Sequence, residues 1–177
     1  MLAEIEFAIL DAIQTIRFEL LDKLMVVITT LGNKGIVWIA IAAVMLCFKK
    51  YRRTGIAMLI GLIFGLVAGN WVIKNLVARA RPCAINTAIE LIIPYPSEYS
   101  FPSGHTLSSF IASTCVFLKN KKLGVAAYVL AALIAFSRLY VYVHFPTDII
   151  GGILLGILLA HAAAWISKKP KWQWLGD

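Results

Sequence analysis

Residues 54–73 read TGIAMLIGLIFGLVAGNWVI, a run without a single ionisable side chain. It has the length of the roughly 20 apolar residues that a helix needs to cross a bilayer. Lys49, Lys50, Arg52 and Arg53 precede it and Lys74 follows it. Cations at the two ends of such a run can reach out of the hydrocarbon layer along their alkyl stems.

Four further apolar runs lie outward from this one, at 36–48, 103–118, 123–142 and 147–166. Some are short, which flanking snorkelling residues or burial against other helices can accommodate. The whole chain of 177 residues is 60% hydrophobic, and its mean hydropathy is +0.83. Both exceed what a soluble domain shows and point to lipid contact. At the start, Leu2, Ile5, Ile9, Ile13, Ile16 and Leu20 recur at helical steps through residues 2–21, opposite Glu4, Asp11, Thr15, Glu19 and Asp22. Residues 24–31 continue apolar until Gly32-Asn33-Lys34-Gly35 breaks the run. This N-terminal stretch is interfacial at first or inserts later. The expected fold is all-α: one polytopic membrane helix bundle over residues 1–177, with about six transmembrane helices and an amphipathic N-terminal segment. Two small-residue stripes, Gly61/Gly65/Gly69 and Gly152/Gly156/Ala160/Ala164, predict close helix contacts.

The net charge is +8, from 17 Lys+Arg against 9 Asp+Glu. These charges fall in short clusters between apolar runs, the pattern of membrane loops rather than of a nucleic-acid surface. If every run crosses once, Lys49–Arg53, Lys119–Lys122 and Lys168, Lys169 and Lys171 share one side, which the positive-inside rule makes cytoplasmic. Both termini are then expected there, with loops 74–102 and 138–146 outside. Glu4 and Glu6 stand where a signal peptide would be basic, so no cleaved leader is expected. Cys47, Cys83 and Cys115 show neither a disulfide framework nor metal-ligand spacing, and no metal or cofactor is expected.

Ionisable residues on the outer side form three groups, each at the end of an apolar run. Lys74 and Arg81 are two helical turns apart and share a face if the helix persists to Pro82; Arg79, off that face, reads as a snorkelling cation. In Pro102-Ser103-Gly104-His105, Ser103 can cap a helix whose first N–H groups form an anion site. Gly104 lets the backbone approach a phosphate, and His105 is placed to give a proton to a departing oxygen. In the third group, Arg138 offers a fork for phosphate oxygens. Asp148, in the first turn of the last helix, can reach back to orient His144 as a nucleophile.

The pattern Lys74-x6-Arg81-Pro82, Pro102-Ser103-Gly104-His105 and Ser137-Arg138-x5-His144-x3-Asp148 resembles the complete three-part signature of the type 2 phosphatidic acid phosphatase family, in its small membrane branch. The resemblance implies that Lys74, Arg81 and Arg138, with Ser103 and Gly104, bind phosphate, that His144 attacks phosphorus, that Asp148 orients His144, and that His105 protonates the leaving group. It implies a metal-independent hydrolase of a lipid phosphate or diphosphate acting through a phosphohistidine. Undecaprenyl diphosphate is the preferred substrate, with phosphatidylglycerol phosphate or phosphatidic acid as the alternative. Vanadate-dependent haloperoxidases share the anion cage but are soluble, which the apolar runs oppose. A lipid or ion transporter would place its charges mid-span rather than at helix ends.

Overall fold

A computed structural model describes residues 1–168; Lys169 and Lys171 of the third basic cluster lie outside the described residues. Among the described residues all regular structure is helical. In chain order the helices are α1 (Leu2–Gln14), α2 (Glu19–Leu31), α3 (Ile36–Cys47), α4 (Arg52–Gly65), α5 (Lys74–Val77), α6 (Pro82–Ile85), α7 (Gly104–Lys119), α8 (Lys121–Tyr140) and α9 (Pro146–Ser167). A π-helical stretch, Leu66–Ile73, joins α4 to α5 without a break. Among the described residues, Arg52–Ile85, α8 and α9 are long and apolar enough to cross a membrane. The pair α2–α3, bent by 45° where Gly32 interrupts it, gives a fourth candidate.

Helix α7 is the centre of the bundle, packed against α8, α9 and α4. The two small-residue stripes make this possible. A Cβ on Gly65 would lie 2.6 Å from Ile111 Cδ1, and one on Gly156 would lie 2.9 Å from the Leu107 carbonyl oxygen. Backbones therefore approach more closely than larger side chains would allow. Trp38, Met58, Ala112, Cys115 and Ile134 fill the space between helices, and the Trp38 indole N–H is satisfied by Ser109 Oγ at 2.9 Å. The outward side chains are apolar as well: Leu154 and Leu158 are each 65% exposed, as expected where the surrounding solvent is lipid.

The N-terminal stretch departs from the expected single amphipathic helix. It breaks at residues 15–18 into α1 and α2, and most of its apolar row faces outward along with Glu4, Asp11, Thr15 and Glu19. Leu2, Ile5, Ile9, Ile16 and Leu20 are exposed, while Glu6 and Leu10 are buried. Gln14 Nε2 donates to the Tyr140 carbonyl (3.1 Å), Tyr142 Oη donates to Asp11 (2.7 Å), and Thr147 N donates to Glu6 (3.1 Å). Helix α1 thus lies across the end of α8 and the start of α9, with both of its own ends at one end of the bundle. The expectation of both termini on one side required this stretch to cross; α1 stays at the end where α9 begins.

Lys74 and Arg81 do not share a helical face. The helix ends at Ala78, which adopts a left-handed conformation (φ 47°). Arg81 is extended and Pro82 opens α6, consistent with proline at the first position of a helix.

Candidate active site

The end of the bundle covered by α1 gathers the three groups of charged residues. His144 sits in the tight connection between α8 and α9, 2% exposed. Its Nε2 accepts a hydrogen bond from Arg81 Nη1 at 3.1 Å. A guanidinium has no acceptor, so Nε2 carries the lone pair and Nδ1 carries the proton. Nδ1 faces Asp148 Oδ2 at 3.5 Å and Ser100 Oγ at 3.4 Å, and Ser100 Oγ donates to the same carboxylate oxygen at 2.5 Å. Burial pushes the His144 imidazole down to about 3, with Asp148 opposing and the charges of Arg81 and Arg138 reinforcing the shift. The ring is therefore neutral at ordinary pH, with its free electron pair facing cations.

Asp148 is fully buried in the first turn of α9. Its Oδ2 also accepts from the Phe145 backbone N–H at 2.8 Å, and its Oδ1 accepts from Arg79 Nη1 at 2.7 Å. Arg79 Nη2 reaches Glu6 Oε2 on α1 at 2.5 Å, and the guanidinium lies 4.0 Å from the centre of the Phe145 ring. Glu6 Oε1 in turn accepts from Thr147 N (3.1 Å) and Thr147 Oγ1 (2.5 Å).

Three more cations line the site. Arg81 Nε donates to the Glu98 carbonyl (2.7 Å), and its Nη2 donates to the Tyr99 carbonyl (3.3 Å). Lys74 Nζ is paired with Glu98 Oε2 at 2.5 Å, and the hydrogen bond from Lys74 holds the Glu98 carboxyl below the usual carboxylate range. Arg138 Nη1 donates to Thr29 on α2 at 2.5 Å. Its Nε is buried without a hydrogen-bond partner, an orphaned donor of the kind a bound anion satisfies.

Ser103 caps α7, accepting from Thr106 N at 3.5 Å and Thr106 Oγ1 at 3.0 Å. Gly104 follows, and a Cβ there would lie 2.9 Å from Asn70 Oδ1 and require the Asn70 side chain to move. Asn70 of the π-helical stretch packs against this bare stretch of backbone. His105 Nε2 pairs with Asn33 Oδ1 at 3.0 Å, in the break between α2 and α3. The ring is within electrostatic range of His144, Arg138, Lys74 and Arg81. The eight residues singled out in the sequence therefore meet at one place.

Comparison with known proteins shows the family of the chain. The family model described as the PAP2 superfamily matches residues 53–172. An undecaprenyl-diphosphatase from Sulfolobus acidocaldarius is 36% identical over 83% of this chain and 68% of its own length. Phosphatidylglycerophosphatase B from Bacillus subtilis is 34% identical over 93% of this chain and 84% of its own. The crystal structure of a transmembrane PAP2 type phosphatidylglycerolphosphate phosphatase from Bacillus subtilis superposes with a TM-score of 0.78 and 28% identity, covering 96% of this chain and 87% of that one. The chain belongs to the PAP2 superfamily.

In this PAP2 chain several site residues escaped the sequence reading. Arg79 is not a snorkelling cation at the membrane edge but the bridge between Glu6 and Asp148; its place depends on the left-handed turn at Ala78, which no helical projection anticipates. Ser100, Thr29 and Asn33 come from loops or helix ends whose positions are tertiary. Glu6 did leave a trace: it falls outside the acidic stripe of Glu4, Asp11, Thr15, Glu19 and Asp22, and a carboxylate off the polar face of a membrane-edge helix is costly unless it has a partner.

Proposed function

We propose that the chain is a membrane phosphatase that hydrolyses a lipid phosphate or diphosphate through a phosphohistidine at His144. The observation that carries this reading is the state of His144: its Nε2 lone pair is presented beside Arg81 while Nδ1 is held by the Ser100–Asp148 pair. In the proposed cycle the terminal phosphate docks among Lys74, Arg81 and Arg138 and the first turn of α7 around Ser103 and Gly104. Arg81 transfers its Nη1 hydrogen bond from His144 to a phosphoryl oxygen, which frees Nε2. The lone pair attacks phosphorus, the bond to the leaving oxygen breaks, and His105, protonated in the complex, gives that oxygen its proton. Asp148 stabilises the positive charge on the phosphorylated ring. Water then loses a proton to His105 and attacks phosphorus, and the P–N electrons return to Nε2. The cations and N–H groups neutralise the phosphoryl charge throughout, which supports a reaction without a metal or cofactor.

Undecaprenyl diphosphate is the preferred substrate, supported by the Sulfolobus relative. The similarity to the Bacillus phosphatidylglycerophosphatase along nearly the whole chain favours phosphatidylglycerol phosphate as the second reading. The site is assigned to the extracytoplasmic face. Arg53, Lys119 and Lys168 line one cavity at the far ends of their helices, and basic residues favour the cytoplasmic side. On this reading α1 is extracytoplasmic and the end of α9 cytoplasmic. Initial rates of phosphate release from a panel of lipid phosphates and diphosphates in mixed micelles test the assignment. Undecaprenyl diphosphate should be fastest and His144→Ala should abolish turnover. Lipid movement without phosphate release would identify a carrier instead.

A further inference from the structure

We propose that Glu98 is a specificity-determining residue of the phosphate site: its carboxylate occupies Lys74 in the substrate-free enzyme, and a phosphate group must carry at least two negative charges to displace it. The proposal deepens the reading of Lys74, Arg81 and Arg138 as the phosphate cage and rests on it.

The two partners of this pair are unequal. The Lys74 side chain is 6% exposed and that of Glu98 is 65% exposed. The cation is fixed deep in the site, and the anion reaches down to it from solvent. Releasing Glu98 returns its carboxylate to water without burying anything, whereas leaving Lys74 unpaired would strand a desolvated charge. Glu98 is therefore displaceable, but only by another anion. The backbone beneath it has independent anchors. Arg81 holds the carbonyls of Glu98 and Tyr99, and Ser100 N donates to the Arg79 carbonyl at 2.8 Å. The side chain can swing away while the wall of the site stays in place.

The charge inventory shows what this selects. Arg79 faces two carboxylates, Glu6 and Asp148, so one negative charge beyond neutrality stays beneath the cage, beside His144. Lys74, Arg81 and Arg138 present three positive charges, of which Glu98 cancels one. A monoanionic phosphodiester that replaces Glu98 exchanges one negative charge for another and must shed its own hydration. A terminal monoester phosphate or a diphosphate brings at least two charges, and Arg81 and the unsatisfied Nε of Arg138 can take the surplus. A site opening at a bilayer surface is surrounded by phosphodiester headgroups, and Glu98 keeps them off the cage.

The test is Glu98→Gln, an exposed substitution that leaves the site's own cations untouched. Inorganic phosphate binding is measured by calorimetry on the detergent-solubilised full chain. The variant should bind about tenfold more tightly than the parent, the factor that one charge-assisted hydrogen bond represents. In mixed micelles of increasing phosphatidylglycerol content, the apparent KM of the variant should rise while that of the parent stays flat. Equal or weaker phosphate binding by the variant, or equal competition by the phosphodiester lipid in both proteins, overturns the proposal. Tighter phosphate binding by Glu98→Gln in a parent protein without turnover would uphold Glu98 as the gate and refute the hydrolase reading. Normal turnover with unchanged phosphate affinity would do the reverse.

Discussion

Arg79 holds two carboxylates at once, Glu6 from α1 and Asp148 from α9, and through Asp148 it touches the orientation of His144. With Arg79→Gln, Asp148 keeps the Ser100 and Phe145 bonds but loses the clamp on Oδ1. The expected result is a fall in kcat of roughly 10–100-fold with little change in KM, the scale seen when a group supporting a reactive residue is removed. Glu6→Gln should cost roughly tenfold, and combining it with Arg79→Gln should cost less than the product of the two, because Glu6 shares Arg79 while also holding Thr147 directly. Steady-state kinetics on the two single variants and the double variant would check this; additive losses would show that Glu6 acts independently. The pH behaviour follows from burial of His144, whose folded value of about 3 lies below the ordinary 6.5. Between these values the unfolded chain binds more protons than the folded one, so the contribution of this group to stability is intact above pH 6.5 and declines as the pH falls toward 3. With a diphosphate substrate, which keeps two charges in mild acid, the acid limb of kcat/KM should therefore lie well below 6.5; an acid midpoint near 6.5 would contradict a neutral nucleophile.

Among the elements, α1 shows how lipid changes the meaning of an amphipathic pattern. In water its isoleucines would turn inward; here Ile5 and Ile9 are exposed and the inward side carries Glu6 together with Leu10. The helix is held by polar contacts with Tyr140, Tyr142 and Thr147 and by packing of Phe7, Leu10 and Ile13 against the same region. Exposing apolar side chains to lipid costs nothing, whereas satisfying a buried carboxylate is strongly favoured. The packing of α7 against α9 depends instead on bare backbone. Gly156→Leu would drive a side chain into the Leu107 carbonyl and Phe110 Cβ, each 3.0 Å or less from the added Cβ. A loss of at least about 1–3 kcal/mol is expected, the usual cost of overpacking, and thermal unfolding in detergent would measure it. An unchanged melting temperature would mean that the two helices separate easily.

At the scale of the molecule, the site and the basic clusters lie at opposite ends of the bundle, and thiol labelling reports which end faces the cytoplasm. Cys47 is exposed next to the basic turn after α3, while Cys83 and Cys115 are buried. In sealed right-side-out vesicles a membrane-impermeant maleimide should leave Cys47 unmodified and should react with a thiol introduced by Ser97→Cys, near the site. Inverting the vesicles should exchange the two results; labelling of Cys47 from outside would reverse the orientation. Activity should also persist in excess chelator, and loss of turnover restored by a divalent ion would require a different chemistry.

Much of this was legible along the chain. The apolar runs and their basic flanks are local facts, because hydropathy acts over neighbouring residues, whereas the helical spacing of Lys74 and Arg81 misleads, since the chain turns at Ala78. The fold class follows from the runs and flanks, and the proposed site residues are named from their motifs. What only the tertiary structure decided is which residues meet without sharing a helix. Arg79 reaches Asp148 because the chain turns at Ala78, Glu6 joins them because α1 lies across the ends of α8 and α9, and Glu98 finds Lys74 from a loop without periodicity. Those pairings arise because charges withdrawn from water must find partners, and a partner's distance along the sequence has no bearing on the energy of that contact.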